Sequence, residues 1–179
     1  RKNDLLKELS LLQGIVERKN TIPILANVLI QADKSGGVSL LATDLDVGLR
    51  SKCEATVTKP GTLTLPAKKL FEIVNALPDT DIRIEEDKGG KSVTVAADRF
   101  ESKMQTLPAS EFPTPPSDGG LSEASLPGAA LKRLISHTRF AITSEDTRYF
   151  LNGAQLVLRP DSMRSEEHTS ELQSRLHLV

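Results

Sequence analysis

The chain has no tryptophan, one tyrosine and one cysteine among 179 residues, and aromatic side chains make up only 3% of it. So few rings argue against a platform on which single-stranded bases stack, and leave the phosphate backbone as the expected contact for any nucleic acid. A single cysteine, Cys53, excludes an internal disulfide and any zinc site built from several thiolates. It falls in an alternating stretch, where it reads as a half-buried apolar side chain rather than a nucleophile. No run of 18 or more apolar residues occurs, and Arg1-Lys2-Asn3-Asp4 does not open a secretory signal, so a cytoplasmic protein is expected. Neither sign of charge is in excess: 23 Lys and Arg against 24 Asp and Glu leave a formal net charge of −1. That balance argues against a protein that coats nucleic acid by bulk basicity, and allows separate acidic and basic faces.

Chemistry-bearing motifs are also scarce. The chain contains no Gly-x-Ser-x-Gly elbow, no phosphate-cradling Gly-x-x-x-x-Gly-Lys loop and no Gly-x-Gly-x-x-Gly after a strand. His137, His168 and His177 lack metal-binding spacing, and Asp44-Leu45-Asp46 and Asp79-Thr80-Asp81 stand where turns are expected, for which Asp has its own preference. Neither a catalytic site nor a cofactor or metal is implied.

What is present is a repeat. Leu65-Pro66-Ala67-Lys68-Lys69-Leu70-Phe71-Glu72-Ile73-Val74 returns 61 residues later as Leu126-Pro127-Gly128-Ala129-Ala130-Leu131-Lys132-Arg133-Leu134-Ile135, and the same offset backwards reaches Leu9 and Leu12. Three helices carry one apolar pattern. The first is predicted over residues 4–17, where Leu5, Leu9, Leu12 and Val16 recur on one helical face. Ile22 to Ile30 reads as a strand limited by Pro23, and further strands are expected at 38–42 and 45–57. A second unit repeats the order: strand 62–65, a helix from Pro66, then strands near 81–86, 91–97 and 99–106, two of them joined by Lys88-Gly89-Gly90-Lys91. Residues 107–120, rich in proline and glycine, read as an irregular domain linker. A third unit opens with a strand at 121–126, a helix from Pro127 and a strand over 148–158. Repeated β-α-β-β-β units, each helix covering antiparallel strands with its apolar stripe, define an α+β fold. The domains expected are 1–120, an incomplete 121–163, and a tail 164–179 with no strand or helix continuity with what precedes it.

At 100° per residue Lys68 lies almost opposite Leu70, Ile73, Val74 and Leu77, and Lys7 and Arg133 take the same side of their own helices. Cations on the outer faces of three equivalent helices would suit phosphates and be indifferent to base sequence. An ordinary solvated face is the plainer account of the same pattern. A protein-interaction module using exposed sheet edges, and an enzyme with an unrecognised site, are the readings from other classes.

Five segments in order, Asn20-Thr21-Ile22-Pro23-Ile24-Leu25, Thr43-Asp44-Leu45-Asp46, Leu65-Pro66-Ala67-Lys68-Lys69, Thr106-Leu107-Pro108 with Phe112-Pro113, and Arg148-Tyr149-Phe150-Leu151-Asn152-Gly153, resemble the beta subunit of bacterial DNA polymerase III, the sliding clamp. The resemblance covers residues 1 to about 163. It implies a ring of two three-domain subunits with sheets outside and helices lining a hole for duplex DNA. It further implies a homodimeric processivity factor that does no chemistry of its own within a DNA-directed DNA polymerase. By position, the resemblance makes Lys19, Lys68 and Tyr149 contacts to the DNA backbone. It assigns Arg148, Phe150, Leu151 and Gly153 to a pocket for the peptide motifs of polymerase and clamp-loader subunits, the rest of which lies outside this sequence. Two departures are expected to weaken ring closure: the residues of the family's opening strand are absent, and Ser102 stands where the family often carries an aromatic at the subunit interface. Arg164-Ser165-Glu166-Glu167-His168-Thr169-Ser170-Glu171-Leu172-Gln173-Ser174 resembles instead the translated read-through of a short-read sequencing adapter, and residues 164–179 are expected to be foreign to the protein.

Overall fold

The computed structural model describes residues 1–16, 22–34, 37–113, 125–142, 153–159, 162–166 and 174–177. The chain forms two compact units, Arg1–Ser117 and Asp118–Val179. The first opens with helix α1 (Lys2–Leu12), whose Leu5, Leu9 and Leu12 are buried while Lys7 faces solvent. Its helical run is shorter than the periodicity to Val16 predicts. Gly14, a poor helix former, sits in the turn that follows, where the N–H groups of Ile15 and Val16 both bond Leu12 O.

The apolar run after it was expected to be one strand and is two elements. Pro23–Ala26 forms a 3-10 turn, with proline at the position where a missing N–H costs nothing, and strand β1 (Asn27–Ala32) starts only beyond it. Strands β2 (Gly37–Thr43), β3 (Gly48–Glu54) and β4 (Gly61–Pro66) join β1 in an antiparallel sheet of order β3-β2-β1-β4. Both faces of its centre are covered, which is why β1 reads as a continuous hydrophobic run. Val28, Ile30, Leu40 and Ala42 meet the helices, while Leu29 and Leu41, paired across β1 and β2, meet Ile24, Leu25 and Phe112 on the far side. The stretch predicted as an irregular linker therefore packs in part: Ala109–Glu111 makes a 3-10 turn that delivers Phe112, 4% exposed, to that second core.

Helix α2 (Ala67–Ala76) follows β4, with Pro66 as its cap rather than its first residue, and leads to β5 (Arg83–Glu86), β6 (Ser92–Ala97) and β7 (Phe100–Gln105), an antiparallel sheet of order β5-β6-β7. Gly90, at φ 64°, supplies the left-handed residue of the β5–β6 turn. Leu65, Leu70, Val74, Val93, Val95 and Met104 join Leu5, Leu9 and Leu12 in one core, so two helices cover two sheets. Burying each such leucine contributes about 1.5–3 kcal/mol.

Polar contacts fix how the pieces meet. Lys2 Nζ donates to the carbonyls of Asn75 (3.2 Å) and Leu77, and Gln13 Nε2 donates to Ala67 O at 3.3 Å, so α1 and α2 run antiparallel. The Lys2 ammonium thus supplies a cation and donors where α2 exposes its last carbonyls. Between the sheets, buried Thr64 donates its hydroxyl to Leu107 O (2.8 Å) and accepts from Asn27 Nδ2 (3.1 Å) and Leu107 N (3.2 Å). Thr106 Oγ1 donates to Thr64 O at 2.6 Å. Every hydrogen-bonding capacity of the Thr64 hydroxyl is used, as burial requires.

In the second unit, helix α3 (Gly128–Thr138) and a 3-10 turn (Arg139–Ala141) precede β8 (Gln155–Leu158), β9 (Ser162–Glu166) and β10 (Ser174–His177), ordered β10-β9-β8 and antiparallel. Leu134, Thr138, Met163 and Ser165 are buried. Three expectations change here, the first being the strand over 148–158, which starts only at Gln155, with residues 153 and 154 outside it and 148–152 outside the described residues. Residues 125–127 are not in a strand, 121–124 lying outside the described residues, and the string predicted to have no strand continuity after 163 instead contributes the end of β9 and all of β10. The reason is visible in β9, where buried Met163 and Ser165 alternate about Arg164.

Candidate nucleic-acid interface

Because α1 and α2 bury one stripe each, their opposite sides face solvent, and those sides carry Lys7 and Lys68. Lys68 lies in the first turn of α2, on the strand-to-helix junction that Pro66 fixes, with its side chain 63% exposed. Its ammonium stands 3.9 Å from Glu72 Oε1, one turn along the helix, and the Glu72 side chain is 62% exposed. An exposed pair at this separation holds loosely, at roughly 0.2–0.5 kcal/mol. On α3, Arg133 and Lys132 are exposed.

The 61-residue register refines the expected set of equivalent cations. It aligns Lys7, Lys68 and Ala129, and, one turn further, Leu11, Glu72 and Arg133. Arg133 therefore shares the outward side of its helix but not the place of Lys68, and only α2 puts an anion beside its cation at these positions.

Lys19, Arg148, Tyr149, Phe150 and Leu151 lie outside the described residues. Gly153 is described: it is exposed ahead of β8, and a Cβ there would meet nothing within 4 Å. Close approach of backbone does not require a glycine at that point.

Other polar groups serve the fold. Asp44 Oδ1 accepts from the N–H groups of Asp46 (3.0 Å) and Val47 (2.6 Å), which makes it the pivot of the β2–β3 turn. Cys53, half-buried on β3, has its thiol pushed up by burial and then by Glu8. Asp87 accepts from Lys103, from Ser92 Oγ at 2.7 Å and from Thr94 Oγ1 at 3.2 Å, and these bonds, that of Lys103 foremost, hold its carboxyl below the usual range. Among the described residues no three metal-ligating side chains cluster, and no helix is long and apolar enough to cross a membrane.

Sequence reasoning missed an open groove of about 350 Å³ bordered by Lys69, Glu72, Ile73, Ala76, Leu77 and Phe100. Phe100, Ser102 and Met104 point to one side of β7 by strand alternation, and Met104 is core. The signal was the alternation itself, which puts Phe100 on the helix side.

Helices packed on antiparallel sheets make this chain similar to solved sliding clamps. Caulobacter crescentus pol III beta superposes with a TM-score of 0.86 at 36% identity, covering 99% of this chain and 49% of that one. The DNA polymerase III subunit beta of Pseudomonas aeruginosa does so at 0.80 and 34% identity, over 98% of this chain and 51% of that one. The family model of the DNA polymerase III beta subunit, N-terminal domain, matches residues 1–116. The beta sliding clamp of Caulobacter vibrioides is 43% identical over 150 residues, 83% of this chain and 40% of that protein. That of Escherichia coli K12 is 34% identical over 163 residues, 90% of this chain and 44% of that protein. The chain belongs to the DNA polymerase III beta subunit family, the beta sliding clamps, and spans less than half the length of these two relatives.

Proposed function

We propose that the full-length protein is a processivity factor of DNA replication: a ring that encircles duplex DNA and tethers a polymerase without chemistry of its own. The observation that carries this reading is the family match over residues 1–116, within which Lys68 stands exposed on the side of α2 turned away from the core. Lys19, Lys68 and Tyr149 are the proposed contacts to the DNA backbone, which is sequence-independent because phosphates carry no base identity. Arg148, Phe150, Leu151 and Gly153 are proposed as this chain's share of a pocket for polymerase and clamp-loader peptides.

The proposed domains are a first clamp domain over 1–120 and the start of a second over 121–163, with 164–179 a foreign tail that resequencing past codon 163 would test. Cytoplasmic location and a homodimeric ring complete the proposal. Support for closure comes from Phe100, 39% exposed beside α2, which offers an aromatic two residues from Ser102 on the same side of β7.

The test is duplex binding by the full-length protein across a salt series. Lys19→Glu and Lys68→Glu are expected to weaken binding and flatten its salt dependence by about one released counterion each, equally for unrelated duplex sequences. An unchanged slope, or a marked preference among sequences, would overturn the assignment.

A further inference from the structure

We propose that Glu72 restrains the grip of Lys68 on a phosphate, so that α2 holds duplex DNA loosely enough to let it slide. The inference rests on the reading of Lys68 as a backbone contact. Both side chains are more than 60% exposed and 3.9 Å apart on successive turns of α2, so the pair is open to exchange with solvent and with a competing anion. A phosphate that arrives at Lys68 must displace the carboxylate or share the ammonium with it, and in either case meets less free positive charge.

The arrangement is specific to α2. The 61-residue register puts Leu11 in the place of Glu72 on α1 and Arg133 on α3, so the anion is not a general requirement of the repeated helix. Glu72 accepts no hydrogen bond from the α2 backbone, and its one ion pair among the described residues is with Lys68. Its other surroundings are the rim of the groove that Lys69 and Phe100 also border. A structural role at that rim would alter stability and leave the salt slope untouched, which separates the two.

The full-length protein, Glu72→Gln, Lys68→Gln and the double variant would be titrated with a short random-sequence duplex over a salt series. Glu72→Gln is expected to bind about 2- to 5-fold more tightly at low salt, the range an exposed ion pair supports, with a steeper slope. Glu72→Asp should stay near wild type, and the gain should vanish once Lys68 is also Gln. If Glu72→Gln changes nothing while Lys68→Gln weakens binding, the restraint falls and the Lys68 contact stands. A gain that persists without Lys68 means that Glu72 repels phosphate directly, which overturns the coupling. No effect of Lys68→Gln on affinity or slope overturns both.

Discussion

The same apolar stripe is buried to different depths in the two units. In the first, Leu9, Leu12, Leu70 and Val74 are all fully buried, because α1 and α2 lie antiparallel and share one core. On α3 only Leu134 reaches that state. Leu131 is half-buried and Ile135, which the repeat aligns with Val74, is 54% exposed. The stripe is thus written for a pair of helices over two sheets, and in the second unit, among the described residues, one helix over three strands uses part of it. Two helices also bring polar couplings that the pattern does not encode, namely Lys2 at the end of α2 and Gln13 at its beginning.

The comparison breaks most clearly with Leu70→Ala. Emptying a fully buried position in the shared core should cost about 2–5 kcal/mol, read as a fall in the denaturation midpoint of the first unit. Ile135→Ala, at the exposed part of the α3 stripe, is expected to stay within about 0.5 kcal/mol. Equal losses from the two would contradict the difference in cover. Thr64→Val comes next, since it keeps the shape but leaves the Asn27 amide and the Leu107 N–H without their hydroxyl acceptor, the Leu107 carbonyl keeping only the 3.3 Å bond from Thr106 Oγ1. Its expected cost is about 1–3 kcal/mol by chemical denaturation.

The smallest effect concerns pH. The carboxyl of Asp87 titrates lower in the folded chain than in the unfolded one, chiefly through Lys103 and then Ser92. Its contribution is therefore in place above the unfolded carboxylate range and is lost as pH falls through the lower, folded value. Lys103→Met should lower the neutral plateau slightly and flatten the acid limb of a stability-versus-pH curve, so that variant and parent converge at low pH.

Much of this fold was legible from spacing. The helices that became α1, α2 and α3, the β5–β6 turn and the strand order of the repeat follow from period-3.6 and period-2 patterns that each bury one face. What spacing could not express was burial on two faces or packing by a segment outside the repeat. The run Ile22 to Ile30 looked like one strand because 3-10 residues Ile24 and Leu25 and strand residues Val28 to Ile30 are all buried, on opposite sides of the sheet. Phe112 was hidden in a proline-rich stretch, since nothing local reveals that Leu29 and Leu41 need a cover. Regular structure after residue 163 was missed because the string read as foreign from Arg164 onward continues the alternation that Met163 begins. For the candidate site, helical phase placed Lys68 outward, whereas the pairing with Glu72 emerged from the structure, and the repeat register then showed that the corresponding positions of α1 and α3 hold Leu11 and Arg133. Lys19 and Tyr149 came from family resemblance, not from periodicity.

Enclosure of duplex DNA by a closed ring is tested most directly by retention on DNA. The full-length protein, loaded on a nicked circle and then challenged by linearisation, should stay on the circle and run off the free ends after cutting. Equal retention on circular and linear DNA would contradict a ring that holds its template by enclosure.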